Sequence, residues 1–262
     1  MKQKLLLTIN SLRSGGAERV VSHLLNHLQD DFEIHLALYN NAIGYDIPAD
    51  IKIVDLKQSE DSNQLITLLK LPTLSYRLSR YCKQNDIKLS VAFLNRPSYI
   101  NAFMRNWWGY KGRIVACERT HQTTMLKTRS WSSRVITRFL LKYSYGSVDL
   151  VLANSQEMKE DLRTNLHVKT PIEVIYNPVV IKELQTKMLE PVNFVFSPGI
   201  FYFIAVGSFR QEKNFPLMIE TLAHLKGMNC KLLLIGDGPD EALLRERVKE
   251  EGLTEQVIFC GR

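Results

Sequence analysis

Short apolar segments of strand type alternate with longer amphipathic segments along almost the whole chain, and this alternation leaves few fold classes open. Strand-type runs include "KLLLTIN", "FEIHLALYN", "IKIVDL", "LSVAFLN", "RIVACER", "VDLVLANS" and "IEVIYNPV". Segments of helical periodicity separate most of them, such as the stretch from about Ala17 to Leu28. Strands that are apolar on both faces are typical of a parallel sheet covered by helices on both sides. The sequence therefore predicts a doubly wound α/β fold.

A second set of strand and helix segments begins after a looser stretch, "KELQTKMLEPVNFVFSPG", whose two prolines and mixed polarity are typical of a linker. We expect a complete Rossmann-like domain at 1–180, a linker at 181–199 and a partial second Rossmann-like domain at 200–262. Three strands and two helices leave one sheet face of the second domain uncovered. We therefore expect a C-terminally truncated chain with low stability or a tendency to aggregate.

Composition narrows the function class. The 262 residues contain no apolar run of about 18 residues and no signal-peptide pattern, which predicts a cytoplasmic protein. The four cysteines are far apart, which predicts small core residues in a reducing compartment and argues against a disulfide framework or a zinc site. The formal net charge is +7, and residues 101–148 contain nine Lys/Arg against one acid, Glu118.

The first ligand-binding candidate is the glycine pair in "NSLRSGGAERVV". Gly15 and Gly16 lie between the first strand and the first helix, where backbone N–H groups can meet phosphate oxygens. The pattern is not G-x-G-x-x-G, so a nicotinamide or flavin site has little support. Taken alone, the pair fits a tight corner and a ligand-binding loop equally well.

Five segments, taken in order and spacing, carry a much more specific signal. The segments are "GGAERV", "VDLVLANSQEMKEDL", "VIYNPV", "AVGSFRQEKNFPLMIETLAHL" and "LLLIGDGPDEALLRERVKEEGL...VIFCGR". Together they resemble glycosyltransferase family 4, over essentially the whole chain. The resemblance implies retaining enzymes with the GT-B fold, in which two Rossmann-like domains hold a nucleotide-sugar donor, mainly in the C-terminal domain, and an acceptor, mainly in the N-terminal one.

The resemblance also implies donor-binding residues. In "GSFRQEKN", Lys213 matches the family's diphosphate-binding lysine, and Arg210 is the candidate for a guanidinium that is missing at Ser208. In "IGDGPD", Gly236 and Gly238 would keep the base and ribose region open, and Gly236 and Asp237 are the donor-binding candidates of this segment. An ordinary strand-to-helix turn with Asp237 near the N-cap explains the segment as well. Gly15 and Gly16 of the sequence motif above join this donor-binding group. Enzymes of this type use no bound metal, and the sequence contains no Asp-x-Asp pair, so neither a metal nor another cofactor is expected.

Acceptor-side chemistry is predicted in "CERTHQTT", which directly follows a strand. His121 is the catalytic candidate because an imidazole can orient or deprotonate an acceptor hydroxyl near neutral pH. Glu118 and Arg119 are acceptor-side candidates, with mutual pairing that shapes the loop as the alternative.

The segment "WSSRVITRFLLKYSYG" predicts a helix with an aromatic and a basic side. We expect one face of this helix to carry the apolar residues at helical spacing: Trp131, Val135, Ile136, Phe139, Leu140 and Tyr143. Arg134, Arg138 and Lys142 form a ridge beside it, so the helix suits an anionic membrane surface. Packing in the core with a solvated edge is the alternative, and no recognition motif for nucleic acid accompanies the charges.

The resemblance and these observations predict a transferase that moves a hexose from a nucleotide sugar to a glycan or a lipid-linked acceptor in surface polysaccharide synthesis. We expect the protein to bind peripherally to the inner face of the membrane. The family also carries two glutamates separated by seven residues, after the strand that matches "VIFCG", and the chain has no segment there. We therefore expect weak or no activity from this chain. The alternatives are a non-catalytic glycan- or membrane-binding product and a nucleotide-binding protein of other chemistry.

Overall fold

The computed structural model describes residues 2–13, 15–58 and 64–261. The chain divides into two compact units, Met1–Ile181 and Lys182–Arg262, and each is considered by itself.

The first unit is built on a seven-stranded parallel sheet with the order β3-β2-β1-β4-β5-β6-β7. Its strands are β1 (Gln3–Ile9), β2 (Phe32–Leu38), β3 (Lys52–Asp55), β4 (Leu89–Phe93), β5 (Arg113–Cys117), β6 (Leu150–Ala153) and β7 (Ile172–Val174). Every neighbouring pair is parallel, which confirms the predicted α/β class. Because β1 lies between β2 and β4, the direction of chain progression across the sheet reverses beside β1. Ligands of such sheets bind at that reversal, beyond the carboxyl ends of the strands.

Helices cover the sheet on both faces. They are α1 (Gly16–His27), α2 (Gln64–Gln84), α3 (Asn95–Trp108), α4 (Gln122–Lys127), α5 (Trp131–Tyr145) and α6 (Gln156–Thr164). Alternate residues of β1 enter two separate cores, because successive side chains of a strand point to opposite faces. Leu5 and Leu7 pack with Leu25 of α1, whereas Leu6 belongs to the core that contains Met104 of α3. The nearly continuous apolar strands are therefore buried on both sides, as the sequence predicts.

Two features of this unit differ from the sequence-based expectations. The sequence reading assigned no helix to the stretch that forms α3, where Pro97 stands in the first turn, a position that tolerates proline. The assignment of six apolar residues to one face of α5 is also wrong. Trp131 and Phe139 are 78% and 68% exposed, whereas Leu140 is buried. At about 100° per residue the six positions span roughly half of the helix circumference, so they divide between core and solvent.

The second unit is a three-stranded parallel sheet with the order β10-β9-β8. Its elements are α7 (Ile181–Lys187), β8 (Phe201–Val206), α8 (Phe215–Ala223), β9 (Cys230–Ile235), α9 (Glu241–Glu250) and β10 (Val257–Gly261). A core around Phe209, Phe215 and Leu234 joins the sheet to α8 and α9. The edge strand β8 exposes large apolar side chains along its length: Phe201, Phe203, Ile204 and Val206.

The cysteines follow the predicted pattern with one exception. Cys82, Cys117 and Cys230 are buried free thiols, whereas Cys260 is exposed. The expectation of a core position is therefore wrong for Cys260, whose strand β10 is an edge of the small sheet.

Candidate functional site

A cavity of about 550 Å³ with both polar and apolar walls lies at the carboxyl edge of the seven-stranded sheet, where the strand order reverses. Residues that directly follow three neighbouring strands line it: Asn10 and Ser11 after β1, Tyr39 and Asn40 after β2, and Leu94, Asn95 and Arg96 after β4. Glu18, Thr120 and Arg129 complete its polar wall, and α2 and α5 supply apolar side chains. We call this space the edge pocket. Its position is the one that open parallel sheets reserve for ligands.

Two guanidinium groups and one carboxylate give the edge pocket its charge. The Cζ atom of Arg96 lies 4.4 Å from the centroid of the Tyr39 ring, which is a cation–π contact. Arg129 donates to the Ser133 hydroxyl at 3.3 Å. Guanidinium groups bind phosphate through paired N–H donors, whereas a carboxylate such as Glu18 accepts hydrogen bonds from hydroxyls. The pocket can therefore receive a ligand that carries both phosphate and hydroxyl groups.

One buried oxygen in the edge pocket lacks a partner. The Oδ1 atom of Asn10 is inaccessible to solvent and finds no hydrogen-bond donor among the described residues. Buried polar atoms are normally satisfied, because an unmade bond there costs about 1–3 kcal/mol. No ligand hydroxyl reaches this amide oxygen in the present arrangement, because protein atoms enclose it.

The backbone at the end of β4 is strained beside the same pocket. Leu94 has φ 73° and ψ 169°, a combination that is essentially restricted to glycine. Its N–H donates to the Cys117 carbonyl at 3.2 Å, and its own carbonyl accepts from the Ser98 hydroxyl at 2.9 Å. Strain of this kind costs about 1–3 kcal/mol and clusters at functional sites. It lets β4 pass directly into α3 and sets Asn95 and Arg96 at the pocket.

The two glycines at the start of α1 differ in their surroundings. Gly15 is the N-cap of α1, and its N–H donates to the Tyr45 hydroxyl, which in turn donates to the Gly15 carbonyl at 3.1 Å. A Cβ at Gly15 would collide with the carboxylate of Glu18, whereas a Cβ at Gly16 would meet open space. The structure thus gives a steric reason for Gly15 alone: without a side chain, it leaves room for Glu18 to reach the edge pocket.

The loop after β5 is organised around a buried carboxylate. Glu118 is 3% exposed and accepts the backbone N–H groups of Arg119 at 2.8 Å and Thr120 at 3.0 Å, together with the hydroxyl of Tyr145. Burial raises the pKa of Glu118, and these three hydrogen bonds oppose the shift. The side chains of Glu118 and Arg119 do not pair as the alternative reading held, because the Arg119 guanidinium donates to Asn177 instead.

His121 follows Thr120 and caps α4. Its Nδ1 atom lies 3.4 Å from the backbone nitrogen of Thr124 and 3.0 Å from the Thr124 hydroxyl. The side chain is 46% exposed, and the ring faces the buried carboxylate of Asp161. The structure therefore places the predicted loop at the edge pocket through Thr120, with His121 next to it.

The predicted donor residues of the second unit lie on two adjacent loops. Arg210 and Lys213 are exposed on the loop after β8, which contains a 3₁₀ turn at Gln211–Lys213. The Phe209 N–H donates to the Asp237 carbonyl at 2.8 Å and so joins this loop to the one after β9. Gly236 has φ +147°, and a Cβ there would collide with the backbone of Gly207. Close approach of the two loops is therefore enough to explain that glycine.

Two further observations concern ligands and membranes. Within the described ranges, no group of three or more His, Cys, Asp and Glu side chains is arranged to hold a metal ion. None of the helices in those ranges combines the length and apolarity that crossing a bilayer requires.

The residues that sequence reasoning missed are the charged and aromatic members of the edge pocket: Glu18, Tyr39, Arg96 and Arg129. A usable signal exists for two of them. Tyr39 and Arg96 stand within three residues of the ends of predicted strands, where ligands of parallel sheets bind.

Comparison with known proteins identifies the family. The sequence profile described as Glycosyltransferase Family 4 matches residues 14–183, and the one described as Glycosyl transferases group 1 matches residues 193–262. The chain is 36% identical over 261 residues to N-acetylgalactosamine-N,N'-diacetylbacillosaminyl-diphospho-undecaprenol 4-alpha-N-acetylgalactosaminyltransferase of Campylobacter jejuni, covering 99% of this chain and 69% of the relative. It is 25% identical to the amylovoran biosynthesis glycosyltransferase AmsD of Erwinia amylovora, covering 97% of this chain and 68% of that protein.

Solved structures show the same architecture. Sucrose-phosphate synthase from Thermosynechococcus elongatus matches with a TM-score of 0.75 at 14% identity, covering 100% of this chain and 71% of that structure. HepE of Anabaena in complex with UDP and glucose matches with a TM-score of 0.69 at 17% identity, covering 99% of this chain and 69% of that structure. The chain is therefore a member of glycosyltransferase family 4 with a GT-B-like α/β fold.

Proposed function

We propose that the chain transfers a hexose-type sugar from a nucleotide sugar to a lipid-linked glycan in the synthesis of a surface polysaccharide, with retention at the anomeric carbon. The observation that carries the proposal is the edge pocket, which two arginines, Arg96 and Arg129, and one carboxylate residue, Glu18, line together. The name of the 36% identical relative, an N-acetylgalactosaminyltransferase acting on a diphospho-undecaprenol glycan, makes an N-acetylhexosamine the first donor sugar to test.

The acceptor would occupy the edge pocket. Arg96 and Arg129 would bind the diphosphate of a lipid-linked acceptor, since guanidinium groups match phosphate oxygens in charge and geometry. Glu18 would accept hydrogen bonds from sugar hydroxyls. This division of roles uses each polar group for the ligand chemistry that it suits.

The donor would be bound by the second unit. As the bond between the anomeric carbon and the diphosphate breaks, negative charge grows on the leaving group, and fixed cations stabilise it. Lys213 and Arg210 are the cations proposed for this role, and the neighbouring loop with Gly236 and Asp237 would contact the nucleoside. Gly15 and Gly16 stay predictions as donor-side residues, and no metal is part of the proposal.

To test whether the edge pocket binds the diphosphate, transfer to a diphosphate-bearing acceptor is compared with transfer to the same glycan without phosphate. The donors to offer are UDP-linked hexoses and N-acetylhexosamines. Arg96→Ala should lower kcat/KM about 10- to 100-fold with the diphosphate acceptor, the loss expected for a charge-assisted hydrogen bond of about 1.5–3 kcal/mol. With the phosphate-free glycan the loss should be small. Arg163→Ala, at an exposed arginine on α6 outside the pocket, is the matched control.

Two results would contradict the proposal. Equal losses for Arg96→Ala with both acceptors would show that the pocket does not bind the diphosphate. Absence of both transfer and nucleotide-sugar binding with every donor would favour the non-catalytic alternative.

We propose further that an aromatic surface on α3 and α5 contacts the membrane that carries the acceptor lipid. Phe103 lies 4.9 Å from Trp107 and 5.3 Å from Tyr143 between ring centroids, and Tyr143 stacks on Phe139 at 6.4 Å. Trp107 and Phe139 are 57% and 68% exposed. Exposed aromatic side chains in a continuous row suit the interface between lipid headgroups and hydrocarbon.

The basic ridge contributes less to this surface than its sequence suggests. Arg134 donates to the Leu126 and Lys127 carbonyls at the end of α4, and Arg138 donates to the Asn165 carbonyl. We therefore expect apolar contact to dominate. Phe139→Ser should reduce sedimentation with phosphatidylglycerol vesicles severalfold, whereas Leu243→Ser, at a 59% exposed residue of the second unit, should not. Equal binding of both variants would remove this surface from the proposal.

A further inference from the structure

The first turn of α3 has no cap. Its N-cap residue is Leu94, whose side chain lacks the oxygen atom that capping requires. The N–H groups of Asn95 and Arg96 find no acceptor among the described residues, and Pro97 has no N–H. Asn95 and Arg96 both line the edge pocket. The positive end of this 14-residue helix, with two unused donors, therefore borders that pocket.

The side chain of Tyr99, one turn further along α3, also ends in an unused donor. Tyr99 is 8% exposed and lines the edge pocket. Its hydroxyl has no hydrogen-bond partner in the described part of the chain, although it is not one of the polar atoms that the protein fully encloses. Water alone can satisfy an exposed helix end, whereas a buried tyrosine whose hydroxyl stays open to a cavity points to a ligand there.

Helix geometry brings this hydroxyl to the uncapped turn. Tyr99 follows Asn95 by four residues and Arg96 by three, so the three side chains share one side of α3. Side chains of a helix lean toward its N-terminus, which directs the Tyr99 ring back over the first turn. The phenol and the two unused N–H groups therefore border the same part of the edge pocket.

Tyr99 remains a hydrogen-bond donor at neutral pH. Burial raises the pKa of Tyr99, Glu118 raises it further, and the nearby cation Arg129 opposes the shift. The groups at this end of the pocket are thus a neutral phenol, two backbone N–H groups and the guanidinium groups of Arg96 and Arg129. All of them donate hydrogen bonds. Such a set suits the several anionic oxygens of a phosphate, whereas sugar hydroxyls also need acceptors.

We propose that the uncapped N-terminus of α3 and the Tyr99 hydroxyl form a phosphate-binding site in the edge pocket, whose ligand is the diphosphate of a lipid-linked acceptor. The choice of the acceptor rests on the proposed function, whereas the binding of phosphate does not. Arg96 contributes its backbone N–H as well as its guanidinium. The bound phosphate takes the place of the capping side chain that Leu94 cannot supply.

Other cations of the chain also attract pyrophosphate, so the measurement has to resolve individual residues. Arg210 and Lys213 are exposed in the second unit. A cavity of about 690 Å³ at the amino edge of the large sheet is lined by Tyr110 and four cationic residues, which are Lys83, Lys88, Lys111 and Arg113. Binding at these places would leave the N–H signals of Asn95 and Arg96 where they are.

A titration of the intact chain with sodium pyrophosphate, followed by ¹H–¹⁵N correlation NMR, tests the site without any transfer reaction. We expect the N–H proton signals of Asn95 and Arg96 to move downfield as both groups gain an acceptor. Tyr99→Phe removes one donor to a charged ligand and keeps the ring, so the Kd from these signals should rise about 10-fold. The matched control is Tyr110→Phe, at a buried tyrosine of the amino-edge cavity, and it should leave that Kd unchanged.

Geranyl diphosphate and UDP then distinguish the acceptor from the donor as the source of the diphosphate. Geranyl diphosphate should shift the Asn95 and Arg96 signals at lower concentration than UDP, because the apolar wall with Leu68 and Leu140 would contact the prenyl chain. The reverse order would overturn the assignment to the acceptor.

Two results would overturn the phosphate site even in a protein that transfers sugar. One is unchanged Asn95 and Arg96 signals at saturating pyrophosphate, and the other is an equal Kd for Tyr99→Phe and Tyr110→Phe. The expected shifts and the expected Kd change in a protein that transfers no sugar would support the phosphate site and overturn the transferase proposal alone.

Discussion

Replacing Tyr145 with phenylalanine should destabilise the first unit through a single buried oxygen. The Tyr145 hydroxyl donates to Glu118 in the interior, and both side chains are nearly inaccessible to solvent. Burial raises the pKa of Tyr145, so the hydroxyl stays protonated and remains a donor. The substitution removes only that oxygen and leaves the ring in place.

The magnitude follows from the number of donors that Glu118 retains. The backbone N–H groups of Arg119 and Thr120 and the side chain of Gln122 still bind the carboxylate, so it loses one of four described partners. A hydrogen bond to a charged group contributes about 1.5–3 kcal/mol. We therefore expect the free energy of unfolding at pH 8 to fall by about 2 kcal/mol.

The loss should depend on pH in a defined direction. Burial raises the pKa of Glu118, so the native state binds this proton more tightly than the unfolded state does. Its contribution to stability is therefore present below the ordinary glutamate pKa of about 4.3 and is lost as the pH rises through the native value. Without the hydroxyl of Tyr145 the native pKa rises further. The cost of Tyr145→Phe should accordingly be larger at pH 8 than at pH 5, because the hydroxyl stabilises the charged carboxylate more than the neutral carboxyl group.

Urea unfolding followed by circular dichroism at both pH values measures this cost. Tyr110→Phe is a matched control, because Tyr110 is buried and its hydroxyl finds no partner among the described residues. That variant should be neutral or slightly stabilised. Equal losses for Tyr145→Phe and Tyr110→Phe, or a loss that does not grow with pH, would refute the role assigned to the buried carboxylate.

Three further predictions concern glycines and a second carboxylate. Gly15→Val should displace Glu18 and so lower transfer activity, while the free energy of unfolding stays nearly unchanged. The new side chain in Gly16→Val would meet open space. If Gly16→Val lowers transfer without changing the free energy of unfolding, Gly16 contacts the ligand directly. Gly238→Ala should lower the free energy of unfolding of the second unit by about 2–3 kcal/mol, because the new Cβ would collide with the Phe209 backbone. In the control Gly227→Ala the new Cβ would meet open space, so the free energy of unfolding should stay unchanged. Asp161→Asn should lower the free energy of unfolding by about 1–3 kcal/mol at pH 7, as measured by urea unfolding. The difference between the native protein and this variant should shrink below about pH 4, where acid protonates Asp161.

The layered architecture was predictable because it depends on patterns that act along the chain. Strands β1, β2 and β4 are apolar on both faces, and that property alone requires helices above and below the sheet. Helix α3 was not predicted, because tertiary packing stabilises it more than its local sequence does. Pro97 lies in its first turn, and its helical state depends on the burial of Ile100 and Met104 against α2 and the sheet.

The candidate site was predictable in location more than in composition. Sequence reasoning identified the loops after β1 and β5, because ligands of parallel sheets bind beyond strand ends. It missed Arg96, since nothing in the sequence shows that Leu94 adopts a glycine-like backbone and turns the chain toward the pocket. It missed Asp161 because a contact between α6 and the loop after β5 depends on side chains that are 40 residues apart.

Two buried carboxylates hold the six residues from Glu118 to Thr123, and their cost argues that the loop geometry matters. Glu118 accepts two backbone N–H groups at one end, and Asp161 accepts one at the other. Burying ionised carboxylates is expensive, and apolar side chains of similar volume are often at least as stabilising. Apolar side chains, however, cannot fix the direction of individual N–H groups. Retaining two acids under one short loop is therefore best explained by a need to orient what the loop displays, in particular Thr120 at the edge pocket.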